Sequence, residues 1–348
     1  MRKVSTMMAG TMVLAVLLSA CGGEKTMNQR PESSAASTQN AAQTKPDTSP
    51  ETGAGGQKDI QPEDVAQALL SGNYSGIYKR FSPEFKQQIS EAEVAEMGSD
   101  FIQGVTAFNP STVMLLNGSE QRVWTSDAGD KGIFAVFDDS GTILGLNITG
   151  LSTYPDSDNA LTKTAMALPF QGEWLVFWGG SNVLNNYHYE YASQRYAYDF
   201  VQAVNGFSYE GDPLRNESYH AYGQKITAPA DGVVTGVVND IPDNTPVGVM
   251  NEKEPAGNVV VIDHGGEYSF LAHLKQGSVT VKKGDPVKAG DVIGKAGNSG
   301  NSSEPHLHYQ VSDGADLFRS RSLNIRWKDN NLHPLKGQTV ALKPHIQP

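Results

Sequence analysis

Residues 297–311 read GNSGNSSEPHLHYQV, in which a glycine-, asparagine- and serine-rich run leads into His306, Leu307 and His308. The residues that follow, 309–311, are β-prone, so we predict that both histidines lie on one strand. Side chains two residues apart on a strand point to the same face, about 6.5–7 Å apart along it. One imidazole could then bind a metal ion while the other stands beside the reacting water.

Short β-prone runs separated by glycine turns precede this motif. They lie at residues 226–234, Asn258–Asp263, Tyr268–Leu274, 279–281 and 292–294. Such a pattern predicts an antiparallel, all-β domain, which we place at residues 166–340.

Residues 59–165 follow a different pattern. Helix starts are indicated at Pro62, at Ser82 before Pro83, and at Ser90, which has Glu93 at capping-box spacing. Four β-prone runs with turn residues between them follow, from residue 113 to residue 149. Two or three short helices and an antiparallel meander predict a small α+β domain. It carries no catalytic constellation, and we interpret it as a spacer or binding module.

The N-terminus predicts export. Residues 1–20 begin with a basic pair and continue into an apolar run too short to span a bilayer, which is typical of a signal peptide. The segment 18–21, which ends in Cys21, resembles the lipobox of bacterial lipoproteins, and this implies lipid attachment to the Cys21 thiol. Residues 21–58 contain no aromatic side chain and are expected to form a disordered tether. The protein is therefore expected outside the cytoplasm, anchored to the bacterial cell membrane.

Composition excludes several classes of function. Cys21 is the sole cysteine, so the exported chain has no disulfide, no cysteine metal ligand and no thiol nucleophile. The net charge of the full sequence, -11, argues against nucleic acid as a partner held by charge. Nothing in the sequence indicates an oligomeric state.

A series of segments in the C-terminal half resembles one enzyme family. Residues 272–274, 284–287, 290–294, 297–302 and 305–308 follow the order and approximate spacing of the lysostaphin-type (LytM-like) zinc metallopeptidases. The resemblance covers about residues 174–335. It implies an antiparallel sheet of the duplicated-hybrid or barrel-sandwich type, with a groove whose floor holds Zn2+ bound by His, Asp and a second His.

The resemblance assigns roles to four residues. Asp199 and His308 correspond to metal ligands, and zinc prefers imidazole nitrogen and carboxylate oxygen. His273 and His306 correspond to the catalytic pair that does not bind the metal. Either of these two could take a proton from the attacking water while the other stabilises the oxyanion.

The third ligand departs from the family pattern. The family places a histidine four residues before the aspartate, where this chain has Arg195, a permanent cation. Either the site is degenerate or another histidine takes the place. We favour His188, eleven residues before Asp199, returning beside the Asp199 strand through a short hairpin. His220 is a weaker candidate, and His264 is expected to be structural.

The family resemblance implies a zinc metalloendopeptidase that hydrolyses peptide bonds in peptidoglycan cross-bridges or stem peptides during cell-wall remodelling. The alternative is an inactive domain that binds cell wall or activates another hydrolase, which the arginine at position 195 motivates. Residues 228–232 and 283–290 also resemble turns of biotinyl and lipoyl domains. Those carriers need a lysine on a tight hairpin between the two motifs, and neither Lys253 nor Lys275 has that setting.

Overall fold

The structure is a computed structural model that describes residues 59–342. The predicted signal peptide, the predicted lipid attachment at Cys21 and the predicted tether lie outside the described residues. Among residues 59–342, no helix is both long and apolar enough to cross a membrane.

Helices come first along the described chain. They are a 3-10 helix (Pro62–Asp64), α1 (Val65–Leu70), α2 (Tyr74–Lys79), α3 (Pro83–Lys86) and α4 (Glu91–Phe101). The predicted caps are confirmed: Ser82 Oγ accepts from Phe85 N at 3.1 Å, and Ser90 and Glu93 form a capping box. No helix start was predicted for α2. The Asn73 side chain caps it by accepting from Gly76 N.

An antiparallel meander follows the helices. Its strands are β1 (Phe108–Leu116), β2 (Ser119–Ser126), β3 (Lys131–Asp138) and β4 (Ile143–Gly150), paired in chain order. Asn117 and Gly118, both at positive φ, form the turn of the first hairpin. The helices pack on this sheet through an apolar core that includes Leu69, Ile77 and Phe137.

The remaining residues build a second, larger sheet. Its elements and their neighbours are α5 (Pro155–Asp158), β5 (Glu173–Trp178), a 3-10 helix (Tyr187–Glu190), β6 (Tyr198–Val201), a 3-10 helix (Asn216–Ser218), β7 (Lys225–Thr227), β8 (Gly232–Val238), β9 (Asn258–Asp263), β10 (Tyr268–Leu274), β11 (Pro286–Val287), β12 (Val292–Lys295), β13 (Leu307–Ser312), β14 (Ser322–Leu323) and β15 (Thr339–Ala341). The strand order is β11-β8-β9-β10-β13-β6-β5-β15, with β14 paired to β13 and with β7 and β12 in a separate pair. The named strands pair antiparallel, as the sequence predicts.

Two strand predictions were wrong in detail. The run 226–234 divides into β7 and β8, which lie in different sheets, and Pro229 falls in the break. Residues 279–281 form no strand, although Val279 and Val281 pack against the core. Their backbone makes isolated contacts instead of a ladder, such as Thr280 N to Ile293 O at 3.0 Å.

Alternation along the central strands separates the core from the other face of the sheet. On β13, Leu307, Tyr309 and Val311 enter the main hydrophobic core. The residues between them, His308 and Gln310, therefore point to the opposite face, because successive strand residues alternate.

Candidate metal centre

Asp199 and His308 lie directly opposite each other on the neighbouring strands β6 and β13. Directly opposed residues of an antiparallel pair share a face, with their Cβ atoms about 4.5–5.5 Å apart. His308 Nδ1 lies 2.9 Å from Asp199 Oδ1, and both side chains are buried. The sheet register alone therefore brings together two residues that are 109 positions apart.

His188 approaches the same carboxylate from outside the sheet. Its Nε2 lies 3.1 Å from Asp199 Oδ2, and the residue is 2% exposed. The predicted hairpin is wrong, because residues 187–190 form a 3-10 helix. Asn186 caps that helix by accepting from His188 N at 3.2 Å, which turns the chain away from a strand path.

The three residues form a group that could hold a metal ion. One ligand atom from each of His188, Asp199 and His308 lies within 4.8 Å of the others, and all three residues are buried. Two imidazoles and one carboxylate are a donor set that zinc accepts, with room for a further ligand.

A glutamine sets the proton position on each histidine of this group. His188 Nδ1 lies 2.9 Å from Gln194 Oε1, and His308 Nε2 lies 3.1 Å from Gln310 Oε1. Gln310 is itself oriented by donating to Ser193 O at 2.9 Å. Because an amide oxygen only accepts, each outward nitrogen donates to its glutamine, and the inward nitrogen is the ring atom that would bind a metal ion.

His273 and His306 lie beside the group. Their ring centroids are 4.8 Å apart, and His306 Nε2 is 3.8 Å from Asp199 Oδ1. His273 Nδ1 donates to Ser299 O and His306 Nδ1 to Glu304 O, each at 2.8 Å. A carbonyl can only accept, so Nε2 is the nitrogen left free on both rings.

The backbone at His273 is unusual for a strand. Its φ is +58°, and the pairing of β10 with β9 shifts register between Leu271 and Leu274. A bulge of this kind re-aims a side chain, and non-glycine residues rarely adopt positive φ without a reason in the surrounding structure. Here the bulge turns the His273 ring toward His306.

The site lowers the pKa values of Asp199, His273 and His306, for different physical reasons. Burial opposes ionisation of Asp199, but His188, His306 and the imidazole hydrogen bonds hold its pKa well below the usual range. Burial, reinforced by neighbouring imidazoles, lowers the pKa of His273 well below its usual value and also lowers that of His306. Both rings are therefore neutral near pH 7, and each Nε2 can accept a proton.

The other residues considered from sequence lie elsewhere. The Arg195 guanidinium stacks 3.4 Å from the Tyr154 ring, and its Nε donates to Tyr189 O at 3.0 Å. His264 bridges Asp231 O and Ser269 Oγ, each at 2.8 Å, as expected for a structural histidine. The metal-capable trio does not include His220.

Sequence reasoning missed the two glutamines. Gln310 had a usable signal, since it is two residues after His308 on one strand and must share its face. No sequence signal pointed to Gln194, because its approach to His188 depends on the path of the chain between the 3-10 helix and β6.

Comparison with known families gives a match in the C-terminal half. Residues 218–319 match the model of Peptidase family M23. The matched range contains His273, His306 and His308, whereas His188 and Asp199 precede it.

Curated relatives match over short segments. The chain is 42% identical over 77 residues to "Peptidoglycan DD-endopeptidase ShyA" of Vibrio cholerae, which covers 22% of this chain and 16% of that protein. It is 49% identical over 72 residues to an "Uncharacterized metalloprotease" of Buchnera aphidicola, covering 20% and 19%. The chain thus matches less than a fifth of the length of these relatives.

Among solved structures, the catalytic domain of lysostaphin from Staphylococcus simulans is 25% identical with a TM-score of 0.22, covering 34% of this chain and 86% of that one. Residues 218–319 therefore resemble Peptidase family M23, and short segments of the chain are similar to a peptidoglycan DD-endopeptidase and to an uncharacterised metalloprotease.

Proposed function

We propose that the chain is a zinc-dependent metalloendopeptidase that hydrolyses peptide bonds in peptidoglycan cross-bridges or stem peptides. One observation carries the proposal: ligand atoms of His188, Asp199 and His308 lie within 4.8 Å of one another, with His273 and His306 alongside. The peptidoglycan DD-endopeptidase among the relatives supports the substrate class.

In this proposal His188 Nε2, the Asp199 carboxylate and His308 Nδ1 hold the ion. Zinc held there would supply Lewis-acid activation of water and of the scissile carbonyl. His273 and His306 each offer a free Nε2 on a ring whose other nitrogen donates to a backbone carbonyl. One accepts the proton of the attacking water at Nε2 and passes that same proton to the leaving amine, and the other, on taking up a proton from solvent, donates a hydrogen bond to the oxyanion and retains its proton.

The alternative of an inactive domain was motivated by Arg195. The position of the Arg195 side chain counts against that alternative. The guanidinium packs on Tyr154 instead of beside Asp199, where a cation would repel a metal ion. The approach of His188 to Asp199 supports an intact set of three ligands.

The proposal extends to location and organisation. A substrate in the cell wall fits a protein that acts outside the cytoplasm, with a signal peptide at residues 1–20, lipid on Cys21 and a tether over residues 21–58. Residues 59–165 are proposed as a separate α+β domain, and residues 166–340 as the peptidase domain of hybrid or barrel-sandwich type.

The decisive experiment incubates the purified protein with peptidoglycan sacculi that differ in their cross-bridges. We expect release of fragments with new amino termini from at least one sacculus type, loss of release with a chelator, and recovery when zinc is returned. Mass spectrometry of the fragments identifies the bond. No chelator-sensitive release from any sacculus would defeat the catalytic proposal.

Replacing Gln194 by Leu is expected to weaken zinc binding about 10-fold, since residues that orient metal-binding histidines typically contribute about 10- to 100-fold in affinity. The change removes the acceptor that holds the proton on His188 Nδ1. Competition against a chromogenic chelator measures the affinity. Gln194→Glu keeps an acceptor at the same place and should retain affinity; an equal loss in both variants would argue against tautomer control.

A further inference from the structure

We propose that the N-terminal meander positions the metal ligand His188, by holding the loop before it through a hydrogen bond between Thr112 and Asn185. The inference rests on the proposed metal centre. It gives the α+β part of the chain a role in metal affinity, in place of the spacer or binding role expected from the sequence.

The loop concerned comprises residues 179–186, GGSNVLNN, between β5 and the 3-10 helix that carries His188; we call it the asparagine loop. Its asparagines bond to its own backbone. Asn182 Oδ1 accepts from Leu184 N at 3.0 Å and from Asn185 N at 2.9 Å, and Asn185 O accepts from Gly179 N at 3.0 Å. The loop therefore holds its own shape, so a contact that fixes one part of it also fixes the position of its last residues.

Two adjacent hydroxyl groups of strand β1 form hydrogen bonds with the asparagine loop. Thr112 Oγ1 donates to Asn185 Oδ1 at 2.8 Å, and Asn185 Nδ2 donates to Ser111 Oγ at 3.1 Å. Adjacent strand residues normally point to opposite faces. The pairing of β1 with β2 shifts register between Pro110 and Thr112, and such a bulge allows both hydroxyls to reach one amide.

Apolar contacts surround these hydrogen bonds. Leu184 of the asparagine loop packs so closely over Gly132 of β3 that a Cβ there would lie 2.6 Å from Leu184 Cδ1. Further along β1, Met114 and Leu116 pack with Leu175 and Val201 of the larger sheet. The meander thus covers the loop, and Asn185 is only 2% exposed.

Asn186, the residue after Asn185, connects the asparagine loop to the metal centre. Asn186 is fully buried, and its Oδ1 accepts from His188 N at 3.2 Å. Its Nδ2 donates to Ala197 O at 3.0 Å, two residues before Asp199. Asn186 therefore ties the His188 backbone to the Asp199 strand, while Asn185 ties the same loop to the meander. Loss of the Thr112 bond is expected to loosen His188 relative to Asp199.

The test compares full-length chains in which one threonine is changed. Thr112→Val keeps the shape of the side chain and removes its hydroxyl, whereas Thr112→Ser keeps the hydroxyl. Thr235→Val is the control, because it removes a hydroxyl from the distant strand β8, where Thr235 Oγ1 donates to Val261 O at 3.4 Å. Zinc affinity is measured by chelator competition. The visible absorption of the Co2+-substituted proteins reports ligand geometry, and thermal unfolding without metal reports fold stability.

We expect Thr112→Val to weaken zinc binding about 10-fold, at the lower end of the range for residues that orient metal ligands, and to change the Co2+ spectrum. Thr112→Ser and Thr235→Val should bind zinc as the unmodified chain does. Equal affinity in Thr112→Val and the unmodified chain overturns the inference, as does an equal loss in Thr235→Val. Absence of zinc binding by the unmodified chain defeats the proposed function itself, whereas zinc binding without peptidase activity defeats only the enzymatic claim.

Discussion

A His188→Ala chain is expected to lose bound zinc and, with it, peptidoglycan cleavage. Structural zinc sites with four ligands bind with roughly 10–16 kcal/mol, so one ligand contributes on the order of 3–4 kcal/mol, or about a 100- to 1000-fold loss of affinity. His188 Nε2 lies 3.1 Å from Asp199 Oδ2, whereas the Arg195 guanidinium stacks on Tyr154. Metal analysis after dialysis and chelator competition measure the loss.

The matched control is His220→Ala. His220 was the second candidate for the same ligand, and it is not part of the metal-capable trio. That variant should keep full zinc and full activity. Stoichiometric zinc in His188→Ala would contradict the ligand assignment, and loss of zinc in His220→Ala instead would transfer the role to that residue.

The second large effect is expected from His306→Ala, which should keep its zinc and lose about 100- to 10,000-fold in turnover, the usual contribution of a general acid or base. His306 Nδ1 donates to Glu304 O, so Nε2 is the nitrogen that faces the site, 3.8 Å from Asp199 Oδ1. Burial lowers the pKa of His306, which keeps the ring neutral and able to accept a proton near pH 7. Release of peptidoglycan fragments under substrate saturation measures turnover.

The zinc content of His306→Ala separates its two possible roles. Unchanged zinc with lost turnover supports proton transfer, and His306→Gln, which keeps polarity without a titratable ring, should be equally inactive. Loss of zinc in both variants would make His306 a metal ligand, and full turnover in either would remove it from the mechanism.

Local pattern was sufficient for much of the architecture. Asn258–Asp263 and Tyr268–Leu274 were predicted as strands and have those bounds. Ser82 and Ser90 cap the helices that their spacing predicted, because a cap depends only on residues within one turn. Where one residue serves two elements the prediction was incomplete, as at Asn73, which follows the end of α1 and also caps the start of α2.

The sequence predicts only part of the pairing of Asp199 with His308. Alternation on β13 follows from residues 307–311 alone, and it separates the core side chains from His308 and Gln310. That Asp199 stands directly opposite depends on the register between β6 and β13, which the chemistry of neither strand specifies by itself. The family resemblance implied only that both residues bind the same metal ion.

The amino-acid sequence by itself determined the strands, the turns and the alternation that points His308 away from the core. These features follow from backbone periodicity over a few residues. The approach of His188 needed the folded molecule. Its 3-10 helix is capped by Asn186, and the loop before it is held by Thr112, 73 residues before Asn185. A hydrogen bond across that separation leaves no local pattern, because its partners meet only when two sheets have packed against each other.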